Sequence, residues 1–407
     1  MNRTKIINTT RVMRQIWTNK TISRVNIARS LNLNKSTVSN IITSLLEEGV
    51  VIEDSIGEST VMGGRKPINL KLNSNFGLVI GIEMRPESYT AIGVDLTGEI
   101  LFMKTETLQI SATNFSKNFI EILKRIESEC NNVDRPLLGI GVGISAPVDP
   151  YSQKIRYSIP LTMSDSFDFY EEISKNFPIP VMPENDANCC AWGEMTFHRQ
   201  KELKNFVFAL LEFRDIKDES RICERTAFGI GIVINGRVFH GMNFTAGEFR
   251  SVFTTSDYKG QFAITDEEML KLEEDPKILE KFIRELSKNL AVLANTFNLS
   301  EIFLGGDIIR YQQLTSEILK EELDINWAYP DEPTCKIQFS TMNDKSVAYG
   351  AAGMLLDRIF MDEELAGENR TDRFSNIDLI STWLDAGGRF NKVDYGQIVS
   401  QIRRIYE

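Results

Sequence analysis

The chain has 407 residues, 42% hydrophobic and 25% charged. That composition is ordinary for a globular protein and the length exceeds what one core fills, so two or three domains are expected. No apolar run approaches the roughly 18 residues of a membrane span and residues 1–15 lack a signal-peptide core, which points to the cytoplasm and away from a membrane partner. Five scattered cysteines, no CxxC pair and only two histidines argue against a disulfide framework or a zinc site.

The net charge of −11 is unevenly placed. Residues 1–75 hold eleven Lys and Arg against five Asp and Glu, a surplus of six positive charges that leaves −17 for the rest. A basic head on an acidic body confines attraction for phosphate to the head.

Helical periodicity opens over Lys5–Trp17, with Val12, Met13, Ile16 and Trp17 among its apolar positions. A second short helix places Ile27, Ala28 and Leu31 on one face, and Asn34 suits the N-cap of a third. In that third run Val38, Ile41, Ile42 and Leu45 face inward, which leaves Lys35, Ser36, Thr37, Ser39 and Asn40 at its exposed N-terminal end. Short donors and acceptors with one cation are what reading base edges and phosphates in a major groove requires. A plain helical hairpin would share these two helices and the turn, but the segment beyond the third helix separates the readings. Gly49 ends the helix, Val50–Ile52 reads as a strand, and Ile68–Leu72 returns after Gly63-Gly64-Arg65-Lys66-Pro67. Residues 1–75 therefore read as a winged helix-turn-helix, with Gly64, Arg65 and Lys66 on a wing suited to a minor groove.

Beyond the wing the order is α/β. Residues 76–84 read as a buried strand, 89–108 as two strands around Leu96-Thr97-Gly98-Glu99, 114–130 as a helix, and Leu137–Ile144 as a buried strand running into Ser145-Ala146-Pro147. The second half repeats the theme: a strand at 205–213, a hairpin over 228–240 around Asn235-Gly236, a long helix at 277–297, a strand at 301–304 and a small-residue helix at 346–359. Two α/β lobes over 76–360 with a cleft between them suit a small-molecule site. Residues 361–407 read as a polar extension with helices at 376–385 and 393–405 and no assignable role.

Together the segments TVSNIITSLLEEGVV, GGRKP, LGIGVGISAPVD, PENDANCCAWGE, GIGIVINGRVFHG with TAGE, and EIFLGGDI resemble the ROK family (repressors, open reading frames, kinases), in particular its repressor branch. The resemblance covers residues 5–360 and implies an actin-like, hexokinase-type body of two α/β lobes. It places Asp186 where the kinase branch has its general base; with Asn185 it could orient a sugar hydroxyl, or the pair could cap the helix after it. The family's ExGH segment becomes Glu248-Phe249-Arg250-Ser251, which keeps the glutamate but loses the histidine that contacts sugar and ligates zinc, and Ser145-Ala146 replaces a proline-glycine before the sugar-contacting turn. Arg250 facing a pocket would suit an anionic sugar. A cysteine-free stretch, TTSDYKGQFAITDEE, stands where the zinc loop should be.

The first phosphate-binding loop is replaced by Glu83-Met84-Arg85-Pro86-Glu87, which has no glycine. The second keeps Gly229, Gly231 and Gly236 but has Arg225-Thr226-Ala227 in place of GTG. Phosphoryl transfer needs both cradles, so the resemblance implies no catalysis and no cofactor. It implies a transcriptional regulator, a repressor in this branch. The partners would be double-stranded operator DNA, a sugar or sugar-derivative effector, and further copies of the chain in a homodimer or dimer of dimers. A regulator with an inert dimerisation or protein-interaction body and an active sugar kinase are the alternatives.

Overall fold

The computed structural model describes residues 3–56, 68–198, 203–216, 218–360 and 394–406. Its chain divides into two compact units: one holds the N-terminal residues through Glu184, Thr196–Lys201 and everything from Ala351, the other Asn185–Met195 and Glu202–Gly350.

The first unit begins with the head: α1 (Arg3–Asn19), β1 (Ile22–Ser23), α2 (Arg24–Ser30), α3 (Lys35–Glu47), β2 (Val51–Ile56) and β3 (Ile68–Leu72). Val12, Met13, Ile16, Trp17, Ile27, Val38, Ile42 and Leu45 are buried, so the three helices share one core. The strands pair in the order β1-β3-β2, with Ile22 opposite Leu70 and Val51 opposite Leu72. Three helices backed by this sheet form a winged helix-turn-helix; Gly64, Arg65 and Lys66 lie outside the described residues.

A short linker leads to β4 (Leu78–Met84), β5 (Ser88–Asp95) and β6 (Ile100–Thr107), then α4 (Phe115–Arg125), α5 (Glu127–Val133) and β7 (Leu137–Ile144). Three two-residue strands come next, β8 (Val148–Asp149), β9 (Lys154–Ile155) and β10 (Phe167–Asp168), with α6 (Phe169–Glu172) and β11 (Val181–Asn185). The main sheet runs β11-β7-β4-β5-β6. β4 is parallel to β7 and antiparallel to β5. Both β4 and β7 are buried throughout, as their continuous apolar runs require. The helix expected over 114–130 is broken at Ile126, whose backbone leaves the helical region (φ −93°, ψ 5°). The break lets Ile126 and Cys130 stay in the same core as Phe119 and Leu123.

The second unit contains α7 (Asp186–Phe197, whose last turn returns to the first unit), β12 (Phe206–Phe213), β13 (Thr226–Ile234), β14 (Arg237–Val238), α8 (Asp266–Leu270), α9 (Pro276–Phe297), β15 (Glu301–Gly306), α10 (Gln312–Asn326) and β16 (Lys336–Phe339). Its sheet runs β14-β13-β12-β15-β16, with β12 antiparallel to β13 and parallel to β15. α9 begins at Pro276 behind an Asp275 cap and buries Phe282, Ile283, Leu286, Leu290 and Ala294 against this sheet. α10 and β16 were not expected: in α10 the inward Ile318, Leu319 and Leu323 are diluted by charged neighbours.

Finally α11 (Ser346–Phe360) crosses to the first unit and α12 (Tyr395–Tyr406) closes it. α12 buries Tyr395, Ile398 and Val399 in the first unit's core, and the Tyr395 hydroxyl donates to the Leu123 carbonyl at 2.8 Å. The tail segment without an assignable role thus completes that core at its end. The helix expected at 376–385 lies outside the described residues. Among the described residues no helix is long and apolar enough to cross a membrane.

Candidate nucleic-acid interface and ligand site

In the head, Ser23 caps α2 by accepting from the Asn26 amide at 3.3 Å. Asn32 takes a left-handed conformation (φ 51°), which turns the chain between α2 and α3. Asn34 occupies the N-cap position of α3 with extended dihedrals, but its side chain makes no capping bond. Lys35, Ser36 and Asn40 are exposed, and Thr37 and Ser39 are half-buried beside them. The cluster therefore sits on the open side of α3, opposite Val38, Ile41, Ile42 and Leu45.

The second unit brings the carboxylates together. Gly229 and Gly231 of β13 lie against the first turn of α7: a Cβ on Gly231 would stand 2.3 Å from the Ala187 carbonyl oxygen. On the same strand, Gly229 bridges to Glu248 and the Ile230 amide donates to the Gly247 carbonyl at 3.1 Å. Gly247 has φ +94°, and a Cβ there would collide with the Ile230 carbonyl, so only glycine turns the chain this tightly. β13 thus carries α7, which starts at Asp186, and the turn that holds Glu248. The Glu248 side chain is reachable by solvent, yet surrounding protein strips hydration from its carboxyl. Its pKa is raised by that lost hydration first and by the Asp186 carboxylate second. Sequence reasoning missed Gly247; its signal was a lone glycine immediately before the expected contact residue.

Asn185 and Asp186 both engage the start of α7. Asn185 Oδ1 accepts from the Asn188 amide at 3.1 Å and Asp186 Oδ1 from the Ala187 amide at 2.8 Å. The capping alternative is therefore realised, and it fixes the direction of both side chains. Ser145 belongs to the first unit, at the end of β7, where its carbonyl accepts from the Ser158 hydroxyl at 2.8 Å.

Arg250 departs from expectation. Its guanidinium donates to the backbone carbonyls of Tyr258 at 2.7 Å and Thr255 at 3.4 Å. It clamps its own loop in place of the expected ligand-facing role, because carbonyls five and eight residues on lie within its reach.

The same loop shows what replaces zinc. Gln261 exchanges two bonds with Phe228 (2.8 and 2.7 Å) and donates to the Phe249 carbonyl at 3.1 Å. Asn289 of α9 ties down Ser251 and Val252 at 3.0 and 3.1 Å. Phe228, Phe249, Phe262 and Phe282 stack edge to face or tilted at centroid distances of 4.5–5.8 Å. With no cysteine or histidine between Ser251 and Thr265, the donor set does not fit the family's structural zinc.

Nor does the first phosphate segment form a cradle. The Arg85 amide closes a tight turn onto the Ser88 carbonyl at 2.9 Å, and Arg85 Nε pairs with buried Glu83 at 2.7 Å. Of the retained glycines of the second segment, Gly229 and Gly231 are accounted for by the approach of β13 to α7, and Gly236 by its left-handed conformation (φ +72°) in the turn between β13 and β14.

A winged-helix head precedes two five-stranded α/β sheets. The model of the ROK family matches residues 79–251. The xylose repressor of Bacillus spizizenii is 29% identical over 257 residues, 63% of this chain and 62% of that one. The chain spans 62% of the length of the curated Bacillus repressors it matches. Among solved structures, a ROK family transcriptional regulator homologous to Escherichia coli Mlc superposes with a TM-score of 0.69 at 19% identity, covering 89% of this chain and 100% of that one. A ROK glucokinase from Streptomyces griseus in complex with glucose and AMPPNP reaches 0.52 at 16% identity, covering 68% of this chain and 99% of that one.

Proposed function

We propose that this protein is a DNA-binding transcriptional repressor whose body senses a sugar and does not phosphorylate it. The observation that carries the reading is the exposed Lys35–Asn40 cluster at the start of α3, on a basic head joined to a body that keeps Asp186 and Glu248 together. Acting as a cytoplasmic homodimer, the protein would set two α3 helices in successive major grooves of operator DNA, with Arg65 and Lys66 at the flanking minor grooves. Effector binding would shift the dimer between two spacings of its heads, by no more than the effector's preference for one of them.

The geometry supports one effector class over another. Asp186 and Glu248 accept hydrogen bonds from hydroxyls, and Arg250 is held by its loop, so the residues at this site favour a neutral polyol over a sugar phosphate or sugar acid. The name of the Bacillus relatives puts D-xylose first among candidates. Against kinase activity stand the closed Arg85–Ser88 turn and the packing use of Gly229 and Gly231.

A thermal-shift screen of the whole protein against neutral sugars, sugar phosphates and ATP–Mg tests this. A ligand at about 100 times its Kd stabilises the unit that binds it by roughly 2.7 kcal/mol. Stabilisation by a neutral sugar with none from ATP is expected. Stabilisation by ATP would restore the kinase, and a response to no ligand would favour an inert dimerisation body.

A further inference from the structure

Two helices carry the chain from the second unit to the first: α7 crosses between Met195 and Thr196, and α11 between Gly350 and Ala351. At its start, within the second unit, α11 lies directly on α7. A Cβ on Gly350 would stand 1.8 Å from the Cys189 carbonyl oxygen, so the two helix backbones touch with no side chain between them. α7 is also the helix that begins with Asp186. The remainder of α11 runs on into the first unit, where buried Asp357 meets Arg14 of α1, with Nη1 and Oδ1 3.5 Å apart. Arg358 also contributes positive charge at this carboxylate.

The head is also pinned at its C-terminal end. Asn73 bonds the Gly49 carbonyl through Nδ2 (2.8 Å) and the Val50 carbonyl through its amide (2.9 Å). Asn75 accepts from Arg135 at 2.8 Å, and Arg135 lies 3.7 Å from buried Asp95. The linker is therefore anchored at both ends within the first unit, and Arg14 gives α11 a direct hold on the head. A helix resists axial compression because its hydrogen bonds run along its axis. A glycine contact between backbones leaves no flexible side chain to absorb a shift.

We propose that α11 carries the state of the ligand site to the DNA-binding head, with the Gly350–Cys189 contact as its input and the Arg14–Asp357 ion pair as its output. Arg14 and Asp357 are then positioning residues for DNA recognition although neither touches DNA. The proposal rests on the reading of Asp186 as part of a sugar site.

Hydrogen exchange on the full chain, with and without D-xylose, tests it. In the wild type the sugar should alter exchange at the start of α7 and, by about fivefold or more, in α1, the low end of coupling between two sites. In Arg14→Met and in the gentler Asp357→Asn the response at α7 should persist and the response in α1 should vanish. A response in α1 that survives both substitutions, or a wild type in which α7 responds and α1 does not, overturns the proposal. If D-xylose leaves α7 unchanged, the sugar reading loses its leading candidate, and the coupling is decided without ligand by Gly350→Ala, which forces α11 from α7. Exchange in α1 should then change, and the change should disappear when Arg14→Met is added; an unaltered α1 overturns the coupling. Gly193→Ala, where the added Cβ on α7 meets Gly350 Cα at 3.3 Å, serves the same purpose should Gly350→Ala not fold.

Discussion

Lys35 is exposed at the start of α3, so its contribution to DNA binding should be electrostatic and separable. Lys35→Ala is expected to weaken binding to duplex DNA and to reduce the slope of log K against log salt by about one. An unchanged slope would remove Lys35 from the phosphate contacts. Glu248 makes a prediction in the pH dimension. Its folded-state pKa lies above the ordinary 4.5, so between those values the native state binds more protons than the unfolded chain. Stability therefore falls as pH rises through that window. Glu248→Gln removes this slope, and its melting temperature relative to wild type should climb as pH is raised from about 4 to about 7. A difference that stays flat with pH would show that the fold does not raise the pKa of this carboxyl.

How much could be read at this scale differs residue by residue. The α3 cluster follows from helical spacing alone, since burying Val38, Ile41, Ile42 and Leu45 leaves the rest outside. The meeting of Asp186 with Glu248, 62 positions apart, depends on a strand and two glycine contacts, and entered the sequence reading only through resemblance. The engagement of Arg250 was not legible, because it depends on where the carbonyls of an irregular loop point.

At the scale of elements, continuous apolar runs and glycine-marked turns gave reliable strands: β3 and β7 begin and end where their hydrophobic patterns do. Helix ends decided by tertiary packing did not, as the break at Ile126 shows. The approach of β13 to α7 is tight enough to test by one methyl group. Gly231→Ala should cost about 1–3 kcal/mol in denaturant unfolding and weaken sugar binding as well, since the added atom presses on the residue next to Asp186. The aromatic clasp of the 250–262 loop should behave as a core in its own right. Phe262→Ala is expected to cost about 3–5 kcal/mol, whereas a metal chelator should leave the wild-type melting curve unchanged. A chelator-sensitive transition would mean that a metal contributes despite the loop's composition.

For the whole molecule, the charge asymmetry and the α/β order point to a basic head and an acidic body, but not to where the chain's end belongs. α12 docks on α4 and α5 through Tyr395, Ile398 and Val399, which a polar stretch of sequence barely announces. Deleting residues 394–407 should lower the first unit's unfolding temperature and expose a surface that binds hydrophobic dyes. A truncated protein that melts like the full chain would place α12 outside the stabilising core.

The linker's anchoring also bears on how such proteins can be recombined. Asn73 holds the head's Gly49 and Val50, Asn75 holds the body's Arg135, and the Leu78 amide follows at once onto the Pro136 carbonyl at 2.8 Å. There is no slack in this joint. A DNA-reading module grafted from a relative at residue 73 would bring its own specificity yet arrive without its matching seat. Exchange between relatives should therefore preserve regulation only when Arg14, Asn73, Asn75, Arg135 and Asp357 are inherited as a set, so the natural unit of shuffling is the head together with its socket.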